Sequence, residues 1–284
     1  MRHAHQPSCQ TGVLSTTLIA LSAAATLGGA SGCTSSEQVA SIWPPADFDI
    51  EVEEFSTSGD QWRARCRFRV RADGLATYAT AGGVVVDPET GTELPVWSRL
   101  AVYRLVPTCT RALARRVHRA GVLDLVPEQG QRGGDVDVVA RLRWQAFDRR
   151  QLVRSRGRVH GSMAEILAIV AAHLPEGESL GTPGVEERRI APVLRGVPAP
   201  RDDAAGALAA HLELAAASPA DRELLLAAFA LACSLGRRVE AEELLTRWQQ
   251  LEPPPEPSDE DEPPALADVR LSPAMLRRML PPAR

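Results

Sequence analysis

Trp62-Arg63-Ala64-Arg65-Cys66-Arg67-Phe68-Arg69-Val70-Arg71, residues 62–71, places an arginine at every second position and a small or apolar residue between each pair. A period of two is that of a β-strand, whose successive side chains point to opposite faces. The stretch reads as a half-buried strand, with Trp62, Ala64, Cys66, Phe68 and Val70 toward a core and the arginines away from it. Asp73-Gly74 predicts a type I′ hairpin turn, and 75–80 reads as the returning strand. Upstream, Ile50 and Val52 alternate with Asp49, Glu51 and Glu53. If that strand pairs with 62–71, its carboxylates sit across from arginines, each pair contributing roughly 0.2–1 kcal/mol.

Working outward, Val84–Val86 and the turn residues Asp87-Pro88-Glu89-Thr90-Gly91 suggest a second hairpin. Residues 98–106 read as a strand. Thr110 to Ala120 predicts a helix with Leu113, Ala114 and Val117 on one side. Gly121 stops it, and Val122 is placed to pack back as in a Schellman cap. Val136, Val138, Ala140, Leu142 and Trp144 form a second period-two strand, which turns at Asp148-Arg149-Arg150 into a strand over 152–159. Ser162-x-x-Glu165 predicts a capping box opening a helix to His173. Region 47–180 is thus expected to be α+β: a largely antiparallel sheet with two helices on one face.

The chain has 284 residues, room for one or two domains. Hydrophobic residues make up 44% and charged ones 24%, which excludes a wholly disordered chain or a polytopic membrane protein. Every basic residue other than histidine is arginine, and the net charge of −4 gives no sign of a nucleic-acid partner. The N-terminus joins Arg2 to an apolar stretch, Val13 through Leu27, ending in Gly-Gly-Ala-Ser-Gly-Cys at 28–33. That is the layout of a secretory signal peptide, too short and too rich in Ser, Thr and Gly for a membrane span of ~20 residues. Ala30-Ser31-Gly32-Cys33 resembles a bacterial lipobox. The resemblance implies cleavage after residue 32, a lipid on Cys33 and a tether over 33–46. It also implies a site in the cell envelope, on the outer membrane or cell surface, because Thr34 rather than Asp follows the cysteine. Ala30 and Gly32 equally suit an ordinary signal peptidase, and without acylation the protein would be secreted.

Residues 181–201, with Gly181, Pro183, Gly196, Pro198 and Pro200, have linker composition. Helical pattern resumes over 202–253. There Ala207 and Ala241, Leu214 and Trp248, Ala217 and Leu251, and Pro219 and Pro253 are each 34 residues apart. The stretch Leu225–Pro253 resembles one tetratricopeptide repeat, with Leu225, Gly236, Ala241, Leu245, Leu251 and Pro253 at matching positions, and 203–219 resembles the second helix of a preceding one. Phe229 and Arg238 depart from the pattern. So few repeats cannot bury their own faces; these helices must pack on the first domain, on one another or on a partner. The tail, 254–284, is Pro-rich and acidic (Glu256, Asp259, Glu260, Asp261, Glu262) and is expected to be disordered. It ends in a short apolar helix, with Ser272 as N-cap, Pro273 at the first position, and Leu271, Met275, Leu276, Met279 and Leu280 as its apolar residues.

Three candidate sites emerge. Arg65, Arg67, Arg69, Arg141 and Arg143 could line a polyanion-binding face, or a merely solvated one, since 47–180 is close to charge balance. Cys66 and Cys109 could form a disulfide, or pack as buried thiols. Leu226, Trp248, Met275 and Met279 could hold a protein partner. His118, His160, His173 and His211 show no metal-ligand spacing, and no G-x-S-x-G or phosphate loop is present, so no metal, cofactor or catalysis is expected. The function expected is therefore a non-enzymatic, lipid-anchored envelope protein that binds another protein through its repeat-like helices and tail. The alternative is a secreted α+β domain that inhibits or binds an enzyme or an envelope polymer, as the layout of secreted bacterial protease inhibitors suggests.

Overall fold

A computed structural model describes residues 43–58, 61–130, 138–185, 193–194, 196–200, 202–251 and 271–282. The signal segment, the tether up to residue 42 and the acidic part of the tail lie outside them. The fold is α+β, with a large, mostly antiparallel sheet and six α-helices among the described residues. The strands are β1 (Asp49–Ser58), β2 (Gln61–Arg71), β3 (Leu75–Thr80), β4 (Gly83–Val86), β5 (Glu93–Val96), β6 (Arg99–Arg104), β7 (Glu128–Gly130), β8 (Val138–Ala146) and β9 (Arg149–Arg156). The helices are α1 (Pro107–Arg119), α2 (Gly161–Ala171), α3 (Ala204–Ala217), α4 (Arg222–Ser234), α5 (Arg238–Gln250) and α6 (Pro273–Arg278). Seven strands form one sheet in the order β6-β3-β2-β1-β8-β9-β7, parallel only between β7 and β9, while β4 and β5 form a separate ribbon. None of the described helices is long and apolar enough to cross a membrane.

The alternation in β2 is interrupted. The register with β1 shifts between Glu54 and Phe55, so that Cys66 faces Glu54 and Ala64 faces Phe55, leaving Arg65 as the extra residue of a bulge. Cys66, Phe68 and Val70 enter the main core, but Ala64 packs on the opposite side, with Ala79, Trp97 and Ala227. The side chain of Trp62 lies outside the described residues. The turn at Asp73-Gly74 also differs from expectation. The Gly74 amide donates to the Arg71 carbonyl at 2.9 Å, and only Gly74 has positive φ (81°), so the loop is a tight turn closed by a left-handed glycine. Two consecutive left-handed residues occur instead at Phe147 (φ 55°) and Asp148 (φ 57°), joining β8 to β9. The Asp47 carboxylate holds that turn, accepting from the Phe147 amide at 3.0 Å and the Asp148 amide at 2.7 Å.

One sheet face carries α1 and α2. Cys109, Leu113, Ala114 and Val117 of α1 and Met163, Ile166, Leu167 and Val170 of α2 meet Ile50, Val52, Phe68, Leu142 and Trp144. Helix α1 begins at Pro107, earlier than its apolar pattern suggests, because proline suits the first helical position. Gly121 (φ 84°) ends it and Val122 is fully buried, as expected. Helix α2 is capped by the backbone at His160, so the Ser162 capping box does not form. Residues of linker composition pack here too: Val185, Leu194 and Val197 belong to this core, beside Leu180. The other face carries α3, α4 and α5, whose own core takes in Leu94 and Val96 of β5 and Leu276 and Met279 of the tail.

Candidate functional site: the charged seam and the docked tail helix

Arginine strand meets acidic helix at the seam between sheet and helices. Because β1 lies between β2 and β8, its Glu51 and Glu53 face arginines on both sides, while Asp49 faces Arg71 on one side and Gln145 on the other. Toward β2 the contacts run diagonally, and toward β8 they run straight across. Arg67 Nε donates to Glu51 at 2.7 Å, Arg69 forks onto Asp49 at 2.6–3.0 Å, and Arg141 Nε donates to Glu53 at 2.8 Å. The first turn of α4 closes the network from above: Asp221 takes Arg69 at 2.7 Å, and Glu223 takes both Arg67 and Arg143. Asp221 does this while capping α4, accepting from the Glu223 and Leu224 amides at 3.2 Å. Burial pushes the Glu51 carboxyl up, but Arg67, Arg143, Arg69 and Arg141 together outweigh it and lower it to about 2.

The polyanion reading of these arginines is therefore corrected. Arg67 and Arg141 are only 12% and 13% exposed, and their charges are matched by acids of this same chain. Arg65 is displaced by the bulge and leaves the group; its guanidinium lies against Gly181. A sequence pattern of alternating charge does not separate a solvated strand face from one covered by a helix of opposite charge. The signal that was available is Asp221-x-Glu223 at a helix start.

Between seam and helices lies a cavity of about 20 Å³, walled by Arg67, Arg69, Thr77, Trp97, His211 and Leu224 among others. It has room for one water and is far below the several hundred Å³ of a small-molecule pocket. His211 in its wall is 3% exposed, and burial lowers its pKa to about 4. His173 on the other side of the sheet is 2% exposed and is lowered likewise, its Nδ1 lying 2.8 Å from the Ile169 carbonyl.

The Cys66–Cys109 disulfide is also corrected. Cys66 and Cys233 are free thiols and Cys109 is disulfide-bonded, so Cys66 is not its partner. Cys66 lies 3.6 Å from Glu54, a buried carboxylate that accepts from the Gly181 and Thr182 amides at 2.7 and 2.8 Å. Burial and then the neighbouring Glu54 charge push the Cys66 thiol far up, and burial pushes Cys233 up to about 12. Both remain protonated at neutral pH, so neither is an activated nucleophile. Among the described residues, no three His, Cys, Asp or Glu side chains are grouped to hold a metal.

The remaining predicted residues converge on one place. Helix α4 ends in a Schellman motif: the Gly236 amide donates to Cys233 at 3.0 Å and the Arg237 amide to Ala232 at 2.9 Å, with Gly236 at φ 68°. That turn folds α5 back along α4, and Arg222 lies over the Trp248 ring at 4.0 Å. Trp248 (5% exposed) and Met279 (5%) are buried in the helical core, and Leu226 and Met275 are half-buried. These side chains thus pack inside the chain and do not offer it an open face. The tail helix α6 packs into the same helical core. Ser272 caps it, accepting from the Met275 amide at 3.2 Å, and Leu276 is fully buried. Arg278 forks onto Asp87 of the β4–β5 turn at 2.6–2.7 Å and reaches Glu89 at 3.1 Å, while Arg238 of α5 donates to the Pro281 carbonyl at 2.7 Å. Arg278 holds the Asp87 carboxyl well below the usual carboxylate range. Asp87, read from sequence only as a turn residue, is thus a docking residue for α6. Its distance from Arg278 along the chain hid that role.

No family model matches this chain. No curated protein matches it either.

Proposed function

We propose that this chain is a non-enzymatic, lipid-anchored protein of the cell envelope that holds a protein partner by gripping a short amphipathic helix. The observation that carries this reading is α6, a six-residue helix seated on α5 and the β4–β5 turn by Leu276, Met279 and the Arg278–Asp87 fork. Apolar anchors three residues apart beside a desolvated charge pair are the grammar of helix-in-groove recognition. The tetratricopeptide-like spacing of α3–α5 supports the same reading, since solenoid helices of that type present a groove to peptides. In this account α6 is the groove's internal occupant, and a partner's helix of similar pattern takes its place.

The test is a chain ending at Pro253, titrated with a fluorescent peptide of residues 271–282. Saturable binding, weakened at least tenfold by Arg278→Ala in the peptide, is expected. Cross-linked purification from native membranes should then capture more partner with the shortened chain than with the full one. A peptide that fails to bind, or a partner captured equally by both chains, sinks the proposal. The anchor has its own test. The sulfur of Cys33 can carry a lipid or a disulfide, not both. A diacylglyceryl mass on the peptide that begins at Cys33 supports anchoring, whereas a Cys33–Cys109 cross-linked peptide would make the protein a secreted one.

A further inference from the structure

An aromatic and basic surface lies where the N-terminal segment enters the fold. Trp43, half-buried, stands 5.0 Å from the Phe147 ring and 5.3 Å from the His118 ring, centre to centre. Arg111 Nε donates to its carbonyl at 2.9 Å. Phe147 is 48% exposed although it sits in a left-handed turn, a conformation that costs a bulky residue of order 1–2 kcal/mol. Helix α1 carries Arg111, Arg115, Arg116, His118 and Arg119 and no acid. Arg111, His118 and Arg119 are exposed, and Arg149, two residues beyond Phe147, is exposed beside them. Of the acids next to these residues in the chain, Asp47 has its carboxylate taken up by the turn amides, and Asp124 and Asp148 are exposed.

We infer that this surface rests on an anionic phospholipid bilayer. Two observations select that partner. The first is chemistry: Trp and Phe favour the headgroup level of a bilayer, and arginines beside them are each drawn to anionic lipid. The second is where the chain outside the structure ends. Trp43 is ten steps along the chain from Cys33, a stretch that spans at most about 36 Å. A lipid on Cys33 therefore keeps Trp43 within that distance of the bilayer. The inference rests on the anchoring reading for its geometry, but its chemistry can be tested without the lipid. α6 and the β4–β5 ribbon belong to the other helical layer and are then left free for a partner.

The test uses the chain from residue 33 onward, produced without its signal segment and hence unacylated. It is mixed with vesicles of phosphatidylglycerol and phosphatidylcholine, or of phosphatidylcholine alone. Sedimentation with the anionic vesicles only is expected, with quenching of Trp fluorescence by brominated lipid. Arg119→Gln and Arg149→Gln should each weaken partitioning about fivefold. Phe147→Ala should weaken it further and, like the arginine variants, leave the circular dichroism spectrum unchanged. The inference is overturned if the chain ignores both vesicle types. It is also overturned if it binds both equally, or if soluble polyphosphate is bound as tightly and Phe147→Ala has no effect. Vesicle binding without acylation of Cys33 in cells would keep this surface and remove the anchor. Acylation without vesicle binding would do the reverse.

Discussion

Asp47 shows how one carboxylate can secure an unfavourable backbone. Phe147 and Asp148 both have positive φ, and the sequence there offers no glycine or asparagine. The two amides of the turn are satisfied by Asp47 from a hundred residues away. Asp47→Ala should lower stability by about 1–2 kcal/mol in urea unfolding, the cost of stranding hydrogen-bond donors in a strained turn. Reading the sequence locally placed the left-handed pair at Asp73-Gly74, where only the glycine adopts it. The deciding partner was nonlocal, and so invisible to a dipeptide rule. Glu51 is the sharper case. It is 3% exposed among Arg67, Arg143 and Arg69. Glu51→Gln leaves those guanidinium groups short of one negative charge and should cost about 3–5 kcal/mol, measured as a shift in the urea midpoint.

Element boundaries separate what is legible in the sequence from what is not. Most strands, the positions of both hairpins and the tail helix with its Ser272-Pro273 start were readable, because their signals are periodicity and caps, whereas the three-residue β7 carries no such signal. The bulge in β2 was not readable, because one extra residue leaves the alternation of the chain intact while reversing its faces. Nor was the covered state of the arginine face. Two faces of a sheet can both be buried if one is matched by charge instead of by hydrocarbon. The Schellman turn at Gly236 is the element-level device that sets α5 against α4. Gly236→Ala forces a side chain into φ 68° and should destabilise by about 1 kcal/mol in thermal or urea unfolding. A larger loss would mean that the α4–α5 angle also governs the seam.

Across the whole molecule, the sheet is the middle layer between α1–α2 and α3–α5, so a titratable group on either face reports on global stability. His173 and His211 are buried uncharged and lowered to about 4 from 6.5. Between those values the unfolded chain binds more protons than the folded one, so stability falls as pH drops from 6.5 to 4. The loss is about 3 kcal/mol per histidine and levels off below 4. Glu51 acts lower, its contribution being complete above 4.5 and fading as pH falls toward 2. Urea midpoints across this range should decline in two stages, and the double variant His173→Gln/His211→Gln should flatten the upper stage alone. A profile unchanged by that variant would show that these imidazoles titrate normally. The tail helix acts at the same scale. Because α6 belongs to the same chain as the body it docks on, its binding is intramolecular and governed by an effective concentration. A free helix that bound no better than α6 would have to reach that concentration to displace half of it. On the proposed reading the tail is a threshold device: it would screen out weak and abundant helices and admit only a ligand of markedly higher affinity, so that selectivity would come from the standing competitor as much as from the groove.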